Sequence, residues 1–374
     1  MPNSQYDKFI KILNNEKGDL CHDRVDRAKE AVENGCKIHI WPAARMGNVI
    51  YKAFIDNGFF NIIRLDEKNN DDDTVILPSQ ANVGNDSVLI ICSLSYSNEI
   101  YHKAIKMNFP HIMMYYEAVN LLDPKVNSFP DDFYIDIFKN LKIHLLENKN
   151  KYHEMYDCLE DDLSRKYFLN NMLFRLTGDI TYTFDCDDNL PQYFNDLTGP
   201  FSDDIVFVDG GGYIGDTLEQ FIAYANNQFK SYYLFEPDSL LLAKARKISS
   251  DKRIHYICKG LHSEAGDSFF TSTDGPGGAL SAYGDKKITL VSIDSEINEK
   301  IDFIKMDIEG SELAALKGAQ KTIQQDKPKL AICLYHKAED YTTIFNFIRE
   351  ANPDYRFYLR HHLNNYTETV LYAV

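Results

Sequence analysis

Two carboxylates and one imidazole in the last third of the sequence have the types and spacing for proton transfer. Asp307 and Glu309 stand in Asp302-Phe-Ile-Lys-Met-Asp-Ile-Glu-Gly-Ser-Glu312, and His336 ends the apolar run Pro328-Lys-Leu-Ala-Ile-Cys-Leu-Tyr-His336. A carboxylate, or an imidazole that titrates near neutrality, can take a proton from a reacting hydroxyl. Each also has a plainer reading. Acids are favoured at a helix start, here a helix from Ser311 to about Gln325 with Ser311 as its cap, and a histidine can simply end a strand. Lys305 lies inside the strand and is open between a role in the site and packing along the sheet. Asp307, Glu309 and His336 offer oxygen and nitrogen donors, but three ligands of undefined geometry do not specify a metal, and none is expected.

A second constellation lies upstream. The strand-like Val206-Phe-Val-Asp209 runs into Gly210, Gly211 and Gly212, and Gly215 opens a helix through Phe221. A further strand, Tyr232-Tyr-Leu-Phe235, ends on Glu236-Pro237. Glycines let the backbone approach a ligand, and a carboxylate at the end of the second strand can bind both hydroxyls of a ribose. Gly210-x-Gly212-x-x-Gly215 formally fits a dinucleotide fingerprint. However, Asp209 before the glycines and Asp216-Thr217 after them would repel a pyrophosphate. They suit a ligand carrying a sulfonium and an ammonium, as S-adenosylmethionine does. The expected cofactor contacts are Asp209, Gly210, Gly211, Gly212, Gly215, Thr217, Glu236, Pro237, Gly260 and Asp307. Gly260 follows Lys259, where a backbone group can approach an adenine.

These residues need strands that end on one edge. Strands are expected near 205–209, 231–235, 254–258, 288–293, 302–307, 329–335, 355–360 and 368–373. The last two would form a hairpin through His361-His362-Leu363-Asn364-Asn365, whose adjacent histidines would point to opposite faces. Gly275-Pro-Gly-Gly278 reads as a flexible loop. Upstream, strands at 37–41, 60–65, 87–92 and 111–114 alternate with helices, which predicts a small parallel α/β domain. Its turn Pro42-Ala-Ala-Arg-Met-Gly47 keeps one glycine of a phosphate-binding loop, with Arg45 as a cation. Nucleotide binding, substrate recognition and a purely architectural or dimerising role all stay open there. Trp41, the only tryptophan, is expected in the core.

The order D-G-G-G-x-x-G-D-T, F-E-P-D, K-G, K-M-D-I-E-G-S-E, L-K-G-A and a strand ending in Y-H resembles the FkbM family of S-adenosylmethionine-dependent methyltransferases, over about residues 203–374. The resemblance implies a Rossmann-like, seven-stranded class I methyltransferase sheet and O-methylation, typically of a sugar or polyketide hydroxyl. His336, Asp307 and Glu309 are then the candidates for the base.

The expected organisation is an N-terminal helix plus a small Rossmann-like α/β domain at 1–128, a helical connector at 129–200 and the methyltransferase domain at 201–374. Residues 1–35 read as helical, with a partial apolar stripe at Phe9, Ile10, Ile12 and Leu13. Asp71-Asp-Asp73 forms an acidic loop, and Asp185-Cys-Asp-Asp-Asn189 with Gly199-Pro200 marks a boundary. A net charge of −16 argues against nucleic acid and anionic membrane surfaces as partners. No apolar stretch is long enough for a membrane span and no signal peptide is visible. The seven scattered cysteines form no C-x-x-C pair and suit a reducing, cytoplasmic setting. The acceptor is expected to be a small molecule or glycan, and a homo-oligomer through the N-terminal domain is possible in principle. Two readings compete: an NAD-dependent oxidoreductase, and a non-catalytic scaffold that binds the cofactor.

Overall fold

The computed structural model describes residues 22–68, 74–118, 142–186, 191–271 and 286–374, with a few isolated positions between them. The apolar stripe at Phe9, Ile12 and Leu13, the acidic residues Asp71 and Asp73, the start of the connector at 129–139, the Asp187–Asn189 part of the boundary and the Gly275–Gly278 loop lie outside the described residues. The chain divides into two compact units. The first holds 1–149, 168–186 and 363–366, and the second 150–167, 187–362 and 367–374. Residues expected as a single connector are thus shared: the helix Lys149–Cys158 falls mostly in the second unit, and the helix Asp162–Thr177 contributes to both.

In the first unit, β1 (Ile38–Trp41), β2 (Ile62–Leu65), β3 (Val75–Ile76), β4 (Val88–Ile91) and β5 (His111–Met114) form a parallel sheet in the order β3-β2-β1-β4-β5. Every residue of β1 and β4 is buried, as expected of central strands covered on both faces. The helix Arg45–Asp56 buries Gly47, Ile50, Ala53 and Phe54, a single face at helical spacing. Trp41 is in the core at 1% exposure. Arg45 stands exposed at the start of that helix. The short β3 has no counterpart in the sequence reading.

The second unit carries the seven-stranded sheet. Its strands are β6 (Val206–Gly210), β7 (Ser231–Phe235), β8 (Ile254–Ile257), β13 (Phe303–Met306), β14 (Lys329–Cys333), β15 (Phe357–His361) and β16 (Thr369–Ala373), in the order β15-β16-β14-β13-β6-β7-β8. All neighbours are parallel except the pairs made by β16. The strand order switches between parallel β6 and β13, with β7 and β8 to one side and β14 to β16 to the other, so their C-terminal ends open a crevice where ligands lie in such sheets. A second, four-stranded sheet joins β9 (Gly260–Leu261), β10 (Gly266–Thr271), β11 (Ala279–Leu280) and β12 (Lys286–Val291). The run expected at 288–293 belongs to this sheet rather than to the main one.

Two local expectations are corrected. The helix expected from Ser311 to Gln325 is two helices, Glu312–Lys317 and Gln320–Gln325. They part at Gly318, whose carbonyl accepts from Asp294 N at 2.9 Å, and whose missing Cβ would meet His262 O at 2.1 Å. Ser311 occupies the N-cap position, but its side chain makes no capping bond. The β15–β16 connection runs from His362 to Glu368, because His361 is still in the strand.

Register fixes the middle of the main sheet. Phe207 pairs with Tyr232 on one side and Phe303 on the other. The three rings lie nearly parallel, with centroids 5.0 and 4.8 Å apart. Phe207→Ala should lower unfolding stability by about 3–5 kcal/mol in urea titration, as for a fully buried aromatic in a core that cannot collapse.

Candidate functional site

A cavity of about 350 Å³ opens at the crevice between β6 and β13, within the usual size for small-molecule sites. Of the residues expected from sequence, Gly211, Thr217, Glu236, Pro237, Gly260, Asp307 and Glu309 line it. Asp209, Gly210, Gly212, Gly215 and His336 lie behind the wall instead. Lining residues with no sequence signal of their own include Gln192, Tyr213, Phe270, Ile288 and Glu368. His361 and His362 are both buried away from it. His361 Nδ1 lies 2.9 Å from Thr369 Oγ1, and His362 Nε2 lies 2.8 Å from Tyr372 Oη.

The glycine loop is shaped from beneath. Gly211 has φ +78°, and a Cβ there would sit 1.9 Å from Asp307 O, so no side chain fits. Its N–H and that of Gly212 both donate to Phe235 O at 3.0 Å. Tyr213 N donates to Glu236 Oε2 at 3.1 Å, and Gly215 N to Gly212 O at 2.8 Å. These amides are turned toward the protein, where a pyrophosphate cradle would need them turned outward.

Asp209 was expected against the cofactor, but it is fully buried. It accepts from Tyr232 Oη at 2.7 Å and pairs with Lys305 Nζ at 2.9 Å. The pairing register explains this, since Asp209 sits directly opposite Lys305, two residues beyond the Phe207–Phe303 pair and on the same face. Burial raises the Asp209 carboxyl above its ordinary range, while Lys305 acts against it.

Glu236 is 6% exposed and ends β7 as expected. Asp238 N donates to its Oε1 at 2.8 Å. Burial lifts its carboxyl to about 7, against the pull of the two backbone N–H donors. Beyond it, Pro237, Leu241 and Leu261 join Phe270, Ile288 and Leu290 in an apolar slot. The last three come from the small sheet and form a cluster of their own. A carboxylate beside an apolar slot fits a ribose carrying a flat base.

The other end of the cavity is acidic. Asp307, Glu309 and Glu368 line it, and the Tyr335 hydroxyl spans two of them, 2.9 Å from Asp307 Oδ1 and 3.3 Å from Glu368 Oε1. Gln192 Nε2 donates to Glu368 Oε2 at 2.7 Å. Burial raises Glu368, and raises Glu309 to about 7. The cavity's two lysines are already engaged, Lys259 by Glu296 at 2.7 Å and Lys305 by Asp209. Tyr213, Glu309 and Glu368 all have positive φ, at 43°, 54° and 60°. Four non-glycine, non-asparagine residues among those described adopt such φ values, and three of them line this cavity, which is where backbone strain tends to collect.

His336 corrects the sequence reading. It is 6% exposed and ringed by carboxylates. Glu312 Oε1 is 2.9 Å from Nδ1, while Glu309 Oε2 and Asp307 Oδ1 are 3.4 and 3.5 Å from Nε2. Burial alone would strip its proton, but Glu312, Asp307 and Glu309 outweigh burial and hold the imidazole protonated to about 10. An imidazolium has no lone pair to accept a proton, so His336 is a fixed cation behind the carboxylates. Fully buried Glu312 is held below its ordinary range despite burial, chiefly by His336, and it accepts from Ile308 N at 2.8 Å. Among the described residues, Asp307, Glu312 and His336 bring ligand-type atoms together, with Glu312 in place of the Glu309 of the sequence reading, but a protonated His336 has no lone pair to offer a metal and itself fills the role of the cation.

The sign of the pH effect follows. His336 has a higher pKa folded than unfolded, so its stabilising charge interactions are complete below about 6.5 and fade as pH rises toward about 10. NMR of the imidazole should show the protonated form through pH 8. Glu312→Gln should bring that titration back toward neutrality. A wild-type midpoint near 6.5 would contradict the charge assignment.

Comparison with known proteins follows the same lines. Residues 209–366 match the family model of the Methyltransferase FkbM domain. Among solved structures, the methyltransferase FkbM of Methylobacillus flagellatus KT is 23% identical, with 99% of each chain covered and a TM-score of 0.76, a likeness of fold. A Streptococcus mutans protein described as a methyltransferase in complex with SAH is 14% identical over 48% of this chain and 93% of its own, with a TM-score of 0.32. That likeness is too slight to carry an argument. No curated protein matches the sequence. The seven-stranded sheet is that of a class I methyltransferase, and S-adenosylmethionine is the cofactor indicated by a domain of this kind. Residues 209–366, which supply all of the cavity's lining except Gln192, Tyr193 and Glu368, form a methyltransferase domain of the FkbM family.

Proposed function

We propose that the protein is an S-adenosylmethionine-dependent O-methyltransferase acting on a sugar hydroxyl in a polysaccharide or other glycoconjugate. The observation that carries this reading is the polarity of the cavity. One end offers Glu236 and an apolar slot, and the other offers Asp307, Glu309 and Glu368 with no uncommitted lysine among the lining residues. Carboxylates accept hydrogen bonds from hydroxyls and repel anions, so a neutral polyol suits this end. The inward-turned loop amides speak against the NAD-dependent reading. The scattered free cysteines, Cys92 and Cys333 buried among them, agree with a cytoplasmic reaction.

Glu236 would hold the ribose hydroxyls, and the apolar slot would hold the adenine. When bound, S-adenosylmethionine supplies an electrophilic methyl group on a sulfonium. Asp307 and Glu309 face the cavity from the end of β13, and one of them accepts the acceptor's proton as its oxygen attacks. Glu368 and Gln192 orient the hydroxyls, and orientation of this kind carries much of a displacement's rate. His336 holds Asp307 and Glu309 in place by charge.

Two measurements test this. Calorimetry with S-adenosylhomocysteine should show affinity weakening below pH 7, by up to about tenfold per pH unit, because ribose hydroxyls need the ionised form of Glu236. Glu236→Gln should bind weakly with a flat profile, and a wild-type profile flat from pH 6 to 8 would remove Glu236 from the ribose. Separately, methyl transfer to a panel of neutral glycans should identify an acceptor. On it, Glu309→Gln or Asp307→Asn should lose about 10²-fold or more in kcat, as for removal of a general base. If both variants keep the wild-type rate, neither carboxylate is the base, and if both still bind but wild type never turns over, the scaffold reading stands.

A further inference from the structure

Lys305 stands in β13, two residues before Asp307, and is 2% exposed. Its ammonium has three N–H donors, and three acceptors surround it. Nζ lies 2.9 Å from Asp209 Oδ1, 3.2 Å from Gly210 O and 2.8 Å from Gly211 O. Charge balance alone would need only the first. The other two contacts reach into the glycine loop and grip it by its carbonyls. Gly211 is therefore fixed from both sides, its carbonyl by Lys305 and its N–H by Phe235 O. The next residues carry the connection onward, since Tyr213 N donates to Glu236 Oε2. A chain of bonds thus runs from the ammonium through the strained loop to the carboxylate at the far end of the cavity.

We propose that Lys305 is a positioning residue, holding the glycine loop in the conformation that accepts the cofactor. Its effect on binding is separate from its partnership with Asp209. The proposal rests on the cofactor reading above. A purely structural role makes a different forecast. A buried ion pair can be exchanged for a neutral pair with little loss, whereas removal of one partner strands a charge. Lys305→Met strands the Asp209 carboxylate. Adding Asp209→Asn relieves that charge but returns no donor to the Gly210 and Gly211 carbonyls.

The experiment measures three things on the full chain: thermal midpoint, S-adenosylhomocysteine affinity by calorimetry, and amide hydrogen exchange at Gly211–Tyr213. Wild type, Lys305→Met, Asp209→Asn and the double variant are compared. Lys305→Met should weaken affinity by about tenfold or more, in line with loss of charged hydrogen bonds. The double variant should regain midpoint yet remain weak in binding, and both Lys305→Met proteins should exchange faster across the loop. Recovery of affinity together with the midpoint in the double variant overturns the proposal, as does wild-type affinity in Lys305→Met. If wild type itself does not bind, the cofactor reading has failed, and loop exchange still decides: unchanged rates in the variants overturn the positioning role.

Discussion

The cavity depends on one buried ion pair. Asp209 and Lys305 face each other across neighbouring central strands, because β6 and β13 pair in the register that also stacks Phe207 on Phe303. Taking two charges out of water is costly and is tolerated only where hydrogen bonds complete both partners. Here Tyr232 completes the carboxylate, and the Gly210 and Gly211 carbonyls complete the ammonium. The core of the sheet and the floor of the site are therefore one construction.

The acidic end obeys a complementary rule. Burial raises the proton affinity of Glu309 and Glu368, and the neighbouring carboxylates add to this. The protein answers with a buried cation, His336, behind them. Glu312 anchors that cation and also accepts backbone N–H groups from Ile308 and Gly310, at 2.8 and 3.4 Å. The loop carrying Asp307 and Glu309 is thus tied to the charge that steadies it. Glu236 is tuned separately, by burial at the opposite end.

Much of this was legible in the sequence where the signal is local. Apolar runs ending in acids marked the central strands, and the glycines marked the turn that no side chain can make. What was not legible depends on convergence. Asp209 reads as a ligand until its register partner is known to be a lysine. His336 reads as a base until three carboxylates from another segment are folded around it. Glu368 carries no motif, and it reaches the cavity because β16 returns antiparallel beside β14. Of the small sheet only the strand near 288–293 was read, because β9 and β11 are two residues long and β10 pairs with β12 without a tight hairpin turn to mark it.

The positive φ angles at Tyr213, Glu309 and Glu368 have a bearing on engineering. Each asks an L-residue to hold a conformation that glycine adopts freely. Glycine at those positions would relax the backbone while deleting the cavity's own chemistry. Laboratory evolution guided by heat resistance alone would be drawn to these sites and would gain robustness by disarming them. A library screened for thermostability should therefore hold these three codons fixed and seek its gains elsewhere in the fold.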